Sequence, residues 1–468
     1  MTLLTGFIYA MYFVILGLGF RIALKSLIKN QSIIGSKIEE ITHAFFLGVF
    51  LHIVIFNSLQ ILDCPPNLLL AAIGLLVLLS VVLIIWQFKP VFTTKEKHHW
   101  NRRIIFITSL VIICSGLTYW SGYILPNIAW DSWAVWEGRA QQWVFHGLNT
   151  SIVNWDEWLL EEKSLFNQAA NYPEGLSLIY YFPMLISNNS FATTHVVYLF
   201  AFAMMSLFMI KRLARSSESL HLLAFFVIIL YTTPMISNHL MIQGYADIWM
   251  AMYILLLILT FIDFNESKQT DTGISLICYL IVLPMLKLEG WVWLLLFALA
   301  YILVRLWQSK FKNWIGVFIL LFALLITFGL INFSFTFGDL VINHQRIVIF
   351  NLIDTPIQFQ NITDQLLISF FWQNNWSIIW LGLPFLILTY FTQRHDQVYR
   401  VVQTFFMIAF IFFLFLFYFT EASKWALDLT AINRLILQLT PCYLFLLFNM
   451  LIKVENLNHK TKEPKTHP

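Results

Sequence analysis

The chain has 468 residues, of which 59% are hydrophobic and 11% charged, with a formal net charge of +3. A soluble domain carries roughly 25% charged residues, so this much apolar surface needs lipid as its solvent, and the mean hydropathy of +0.75 agrees. The small net charge excludes nucleic acid as an expected partner, and the scattered cysteines (Cys64, Cys114, Cys278, Cys442) form neither a metal spacing nor a disulfide framework.

A spanning helix needs about 20 mostly apolar residues. Windows of that size predict roughly 13 spans, near 3–22, 43–62, 67–87, 104–124, 191–210, 220–237, 244–263, 272–286, 290–308, 314–335, 367–391, 401–420 and 432–452. No small-residue cleavage site follows the first window, so it reads as a retained helix. The apolar piece 176–186 is too short to span and reads as re-entrant or interfacial. The expected fold class is all-α: a polytopic transmembrane helical bundle with a large outer loop carrying an amphipathic interfacial helix. Its expected parts are N-terminal transmembrane helices over 1–124, the outer loop over 125–190, a transmembrane bundle over 191–455 and a basic tail over 456–468.

Lys and Arg gather after the first window (Arg21, Lys25, Lys29, Lys37), then at 89–103, 211–215, 305–312, 394–400 and 453–465. Alternating spans put all six groups on one side, which the positive-inside rule makes the cytoplasm. The N-terminus is then outside and the C-terminus inside an integral membrane protein. The opposite face receives two long segments, about 125–190 and 336–366.

Charges near or within spans are expensive, so each needs a reason. On the outer face lie Asp131 and Glu137, Glu174 in Asn-Tyr-Pro-Glu-Gly, Asp247 in Gln-Gly-Tyr-Ala-Asp, Lys287 and Glu289 in Lys-Leu-Glu-Gly, the trio Glu421, Lys424 and Asp428, and Arg434. Sequence scatters them; topology puts them at one depth. Each has a bland reading beside the functional one. Asp131 or Asp247 can cap a helix. Lys287 and Glu289 can pair, although two positions apart on a helix they do not face each other, so a turn or an outside partner is needed. Arg434 can hold a phospholipid headgroup, and its planar fork equally suits a lipid-linked phosphate. His195, His239 and His344 read as structural. Asp131, Glu137, Glu174 and Asp247 are hard oxygen ligands, so a divalent ion is compatible, although no spacing demands one and no cofactor motif is present. Over Trp130–Phe145, helical spacing puts Trp130, Trp133, Trp136, Ala140 and Trp143 on one face, with Asp131, Arg139 and Gln142 opposite. That pattern predicts a helix in the interface with its tryptophans in the headgroups.

Five motifs occur in order: Trp-Asp-Ser-Trp-Ala-Val-Trp-Glu-Gly-Arg-Ala at 130–140, Asn-Tyr-Pro-Glu-Gly-Leu-Ser-Leu-Ile at 171–179, Gly-Tyr-Ala-Asp at 244–247, Lys-Leu-Glu-Gly at 287–290 and Asn-Arg-Leu-Ile-Leu-Gln-Leu-Thr-Pro at 433–441. Over about 125–445 the chain resembles bacterial members of the GT-C superfamily of membrane glycosyltransferases, of the dolichyl-phosphate-mannose mannosyltransferase-like and aminoarabinose-transferase-like kind. The resemblance implies an inverting sugar transfer at the outer leaflet of a bacterial inner membrane, from a polyprenyl-phosphate or diphosphate donor to a glycan, lipid or protein acceptor. It makes Asp131 the general base, with Glu137 second. The substrate-binding set is Arg139, Glu174, Tyr245, Asp247, Lys287, Glu289 and Arg434, with Lys287 and Arg434 matching the donor-phosphate ligands. Two departures stand out. The acidic loop follows the fourth predicted span, where relatives have it after the first. Ser132 follows Asp131 where protein mannosyltransferases have a second acid, which weighs against a protein acceptor. Rival readings are a lipid or glycan flippase or transporter, which expects charges near the midplane, and a polymer ligase using the same donor chemistry.

Overall fold

The computed structural model describes residues 2–28, 37–62, 65–91, 102–123, 125, 129–160, 164–187, 191–217, 219–309, 321, 324–327, 331–335, 338–349, 353–392 and 397–462. The chain divides into two compact units, residues 1–291 with 440–468, and residues 292–439.

The first unit opens with α1 (Thr2–Ile28), α2 (Lys37–Ile61), α3 (Pro66–Val91) and α4 (Arg102–Tyr123). Helices α1 and α2 pack backbone to backbone. A Cβ on Gly17 would lie 1.8 Å from the Ala44 carbonyl oxygen, and one on Gly48 1.9 Å from that of Phe13. Small residues at such crossings replace the hydrophobic drive that lipid removes. After a π turn at Ser132–Trp136 come α5 (Glu137–His146), the two-residue parallel strands β1 (Ile152–Val153) and β2 (Leu165–Phe166) flanking the short α6 (Trp155–Trp158), then α7 (Gly175–Ser187) and α8 (Phe191–Ala214). The unit continues through α9 (Leu220–Thr232), α10 (Pro234–Met241), α11 (Ala246–Ser267), α12 (Thr270–Leu286) and the start of α13 (Glu289–Gln308). Every residue of α11 from Ala246 to Ile262 is buried. A helix apolar on all sides belongs at a bundle's centre, and α11 is the unit's spine.

Charge is confined to the ends of these helices. At one end Arg212, at the close of α8, meets Asp263 at 2.7 Å and Glu266, both late in α11. Arg215 meets Asp263 at 3.1 Å and Glu39. Arg21 reaches Glu40 at 3.2 Å and Asp271 at 3.5 Å, and Lys25 also reaches Glu40. Asn456 donates to the Ser216 carbonyl beside them. The groups after α1, in 211–215 and at the start of the C-terminal tail thus share one end, as the alternating topology expects. The other end of α11 holds Asp247. Sixteen residues at 1.5 Å each put these two polar layers about 24 Å apart.

Among the described residues eight helices are long and apolar enough to cross a bilayer, nine with one bent pair; the chain is an integral membrane helical bundle. Thirteen spans were expected. Eight predicted windows coincide with long helices. The window 220–237 instead breaks by 60° between α9 and α10, because Pro234 opens a new helix and cannot donate into the old one. The window 272–286 is the 17-residue α12, about 26 Å long, which still runs from Asp271 in one layer to Lys287 in the other. The window 67–87 keeps an apolar helix of 17 residues, Leu70–Trp86.

The second unit departs further from the helical expectation. The window 314–335 lies largely outside the described residues, and its end, Ile331–Phe335, is a strand, β3. With β4 (Gly338–Ile342), β5 (Arg346–Ile349) and β6 (Ile353–Pro356) it forms an antiparallel meander. Asn343 turns β4 into β5 by accepting the backbone N–H groups of Gln345 and Arg346 at 2.8 Å. The segment 336–366, expected as an outer loop, is therefore partly sheet. The window 367–391 is also broken. A π turn at Ile368–Trp372 ends at Gln373, and helix resumes only at Ile379. Between them Trp376 is wholly buried and donates to Asn433 at 2.9 Å.

The ion-pair layer predicts a measurable asymmetry. Arg212→Ala leaves Glu266 without its guanidinium and Asp263 with Arg215 alone, and costs about 1–3 kcal/mol, less than breaking a fully buried pair because Glu266 is half exposed. Arg212→Lys keeps the charge without the fork. Thermal unfolding in detergent then orders the proteins wild type, Arg212→Lys, Arg212→Ala; equal midpoints refute the layer's structural role.

Candidate functional site

The residues at the other end of the first unit are drawn together by four of the five motifs. The segment starting at Trp130 is helical, but the π turn inserts an extra residue and rotates the face that follows. Trp136 and Trp143 are buried at 2% and 1% exposure, whereas Trp130 and Trp133 are exposed at 45% and 54%. The single tryptophan stripe expected for an interfacial helix is thus split. Two rings are core and two face outward. Gly138 permits the turn, since its Cβ would lie 1.9 Å from the Trp133 carbonyl oxygen.

Glu137 follows the π turn and is completely buried. Ser132 Oγ donates to Glu137 Oε2, and Thr194 Oγ1, at the start of α8, donates to Oε1 at 2.9 Å. Thr194 also lies 3.2 Å from Gln243 Oε1. Buried carboxylates need such donors, and here hydroxyls on two elements supply them. Asp131 differs. It is half-buried and makes no capping hydrogen bond to the turn it precedes. Of the two carboxylates in this motif, only Asp131 reaches the surface.

The third motif lies directly on the first. Gly244 has φ +99°, and a Cβ there would fall 2.2 Å from Ser132 Cβ. Only glycine satisfies both conditions. The chain then enters α11 through half-buried Tyr245, whose ring packs 4.8 Å from His239. Asp247 is not a cap, since Tyr245 holds that position. Its carboxylate is wholly buried and takes a 2.9 Å ion pair from Lys287 Nζ. Lys287 also reaches Glu289 Oε1 at 2.8 Å. Both routes required by the sequence spacing are therefore used. The backbone is extended at Lys287, between α12 and α13, and Asp247 is the outside partner.

The second motif closes the cluster. Gly175 approaches so closely that its Cβ would lie 2.3 Å from the carbonyl oxygen of Met285, two residues before Lys287. Tyr172 packs edge-on to Trp136 at 5.6 Å. Arg139 is buried and braces this loop from α5, donating to the carbonyls of Ala169 and Tyr172. Burial lowers the Arg139 pKa, and Glu174 opposes that shift. Burial raises the Glu174 carboxyl, opposed by the charge of Arg139 and a hydrogen bond from Gln60.

The structure thus joins Glu137 to Gln243 through Thr194, Asp247 to Lys287 and Glu289, and Arg139 electrostatically to Glu174. Arg434 belongs to the other unit. There it is half-buried at the start of helix Ile432–Lys462, next to Asn433. In that unit Lys424 pairs with Glu421 at 3.1 Å, Asp428 accepts from Thr430, and Arg346 pairs with Asp354, all at exposed positions. Two of the histidines bond backbone: His195 donates to the Leu240 carbonyl at 2.8 Å, and His239 Nδ1 lies 2.9 Å from that of Met235. Sequence reasoning overlooked Ser132, Thr194 and Gln243 as partners of Glu137. Their only signal was the run Thr193-Thr194-His195 opening an apolar span and the Gln that precedes Gly244. Among the described residues no group of three or more His, Cys, Asp or Glu side chains is placed to hold a metal ion.

Comparison with protein-family models, curated proteins and solved structures finds no match for this chain.

Two substitutions test this geometry. Lys287→Met leaves Asp247 buried without its cation, at a cost of about 3–5 kcal/mol. Adding Asp247→Asn recovers a large part, and unfolding midpoints of the single and double variants give the coupling. Gly244→Ala destabilises through both φ and the Ser132 contact. A Gly244→Ala protein as stable as wild type refutes the close approach of the two motifs.

Proposed function

We propose that the protein is a membrane glycosyltransferase of the GT-C type, moving a sugar from a polyprenyl-phosphate or diphosphate donor to an acceptor hydroxyl on the non-cytoplasmic face of a bacterial inner membrane. One observation carries this reading. Four motifs far apart in sequence converge at one end of the first unit, around a half-buried acid on a glycine-fitted turn, opposite the end where basic residues gather. The same distribution supports an N-terminus outside and a C-terminus in the cytoplasm.

The chemistry follows from the side chains. As the acceptor hydroxyl attacks the anomeric carbon, Asp131 takes its proton. The bond from that carbon to the donor phosphate oxygen breaks, and the lipid phosphate leaves with its electron pair. A single displacement of this kind inverts the anomeric centre. Glu137 is enclosed by hydroxyl donors and holds the π turn that carries Asp131. Lys287 is balanced by two carboxylates, so its charge is largely committed to the turn between α12 and α13. Arg434 keeps its assignment to the donor phosphate on chemistry, as a planar fork matched to phosphate oxygens. A transporter reading is less well supported, because the ion pairs of the first unit lie at the ends of the helices and not midway along them. A polymer ligase shares this donor chemistry, and the size of the acceptor separates it from a monosaccharide transferase.

Asp131→Asn lowers sugar transfer from the polyprenyl-linked donor in membranes by about 10²–10⁴-fold at unchanged protein level. Unchanged transfer refutes the base assignment. For topology, Ser151 is exposed in the same outer segment. In a cysteine-free background Ser151→Cys reacts with a membrane-impermeant maleimide on intact cells; reaction only after permeabilisation reverses the orientation.

A further inference from the structure

The end of the first unit away from this cluster contains a groove that the proposed reaction does not use. It has a volume of about 210 Å3 and lies between the start of α4, the end of α8 and the start of α9. Its apolar lining includes Ile104, Ile107, Leu207, Ile210 and Leu223, and its charged lining residues are Arg103, Lys211 and Arg215. Among the described residues no carboxylate lines it. Arg215 is itself held in the ion-pair layer by Glu39 and Asp263. Its described lining thus combines cations with aliphatic side chains.

We propose that this groove binds one anionic phospholipid, with its phosphodiester at Arg103 and Lys211 and an acyl chain along Ile107, Leu207 and Leu223. Charge complementarity selects the occupant. A groove lined by cations and aliphatic side chains at the end of a membrane helix fits a phosphate joined to a hydrocarbon chain. A soluble anion would leave the aliphatic part unfilled. A zwitterionic lipid adds a positive choline or ethanolamine group beside Arg103 and Lys211. The site stands apart from the proposed transfer chemistry and does not depend on it.

The test is native mass spectrometry of the full-length protein in detergent, titrated separately with phosphatidylglycerol, phosphatidylcholine and inorganic phosphate. The expected result is a phosphatidylglycerol adduct formed at least tenfold more tightly than the phosphatidylcholine adduct. The variant Arg103→Gln/Lys211→Gln weakens the phosphatidylglycerol adduct about tenfold or more, because each cation at a membrane surface adds about 1 kcal/mol, near fivefold. Ile107→Trp fills the apolar part and weakens it without changing charge, so a loss of fold in one variant leaves the other to decide, with unfolding midpoints identifying which remains native. Equal binding of the two lipids overturns the proposal. So does phosphatidylglycerol binding that both native variants retain. Binding of inorganic phosphate as tight as that of phosphatidylglycerol also overturns it, because the site then reads a free anion and the hydrocarbon contributes nothing.

Discussion

The cost of placing a charge in hydrocarbon organises the first unit. An ionisable side chain near the bilayer centre costs several kcal/mol unless it is paired or reaches water. The chain answers by pushing its ions to two levels. Arg21, Arg212 and Arg215 with five carboxylates make one level, and Lys287 with Asp247 and Glu289 makes the other. Between them α11 is apolar and buried on every side. That helix carries an acid of each level, Asp263 and Asp247, so its position along the bundle axis is fixed at both ends by ion pairs.

The proposed chemistry grows out of this arrangement. A buried Asp247–Lys287 pair pins the entry to α11 against the α12–α13 turn. Gly244, just before that entry, lies against Ser132, and Ser132 donates to Glu137. Asp131 therefore sits on a turn whose foundation is tied to α8 through Thr194 and rests on the entry to α11. Rigid support from several elements is what a positioned acid or base needs. In this arrangement buried polar residues hold the turn that carries the half-buried carboxylate, the proposed base.

Much of this was readable in the sequence, and the failures have physical causes. Long windows with few charges mark membrane-spanning helices, and eight of them coincide with full-length helices. The convergence of motifs at 130, 171, 244 and 287 followed from counting spans, because alternation alone assigns loops to sides. The tryptophan face at 130–143 was misread because helical spacing assumes 3.6 residues per turn, and one π turn shifts the phase of everything beyond it. The break at Thr233-Pro234 was visible as a proline but hidden by hydropathy averaging. The meander at 331–356 was masked the same way. The alternation in Ile-Asn-Phe-Ser-Phe has a period of two, yet its phenylalanines score as membrane helix. Glu137 was grouped with Asp131 because sequence gives a carboxylate no measure of enclosure; the hydroxyls of Ser132 and Thr194 supply it only in three dimensions.

The separation of the two charged levels has a consequence for the surrounding lipid. They stand about 24 Å apart along α11, whereas the hydrocarbon of a typical bilayer is about 30 Å thick. The span between the levels is thus shorter than that hydrocarbon by a few Å, and a mismatch of that size is relieved by thinning the bilayer or by side chains stretching toward water. Thinning draws the surrounding headgroups inward, to the depth where Lys287 and Asp247 are found. An amphiphile carrying its reactive phosphate at the headgroup level would then travel less distance out of its own leaflet to reach the protein.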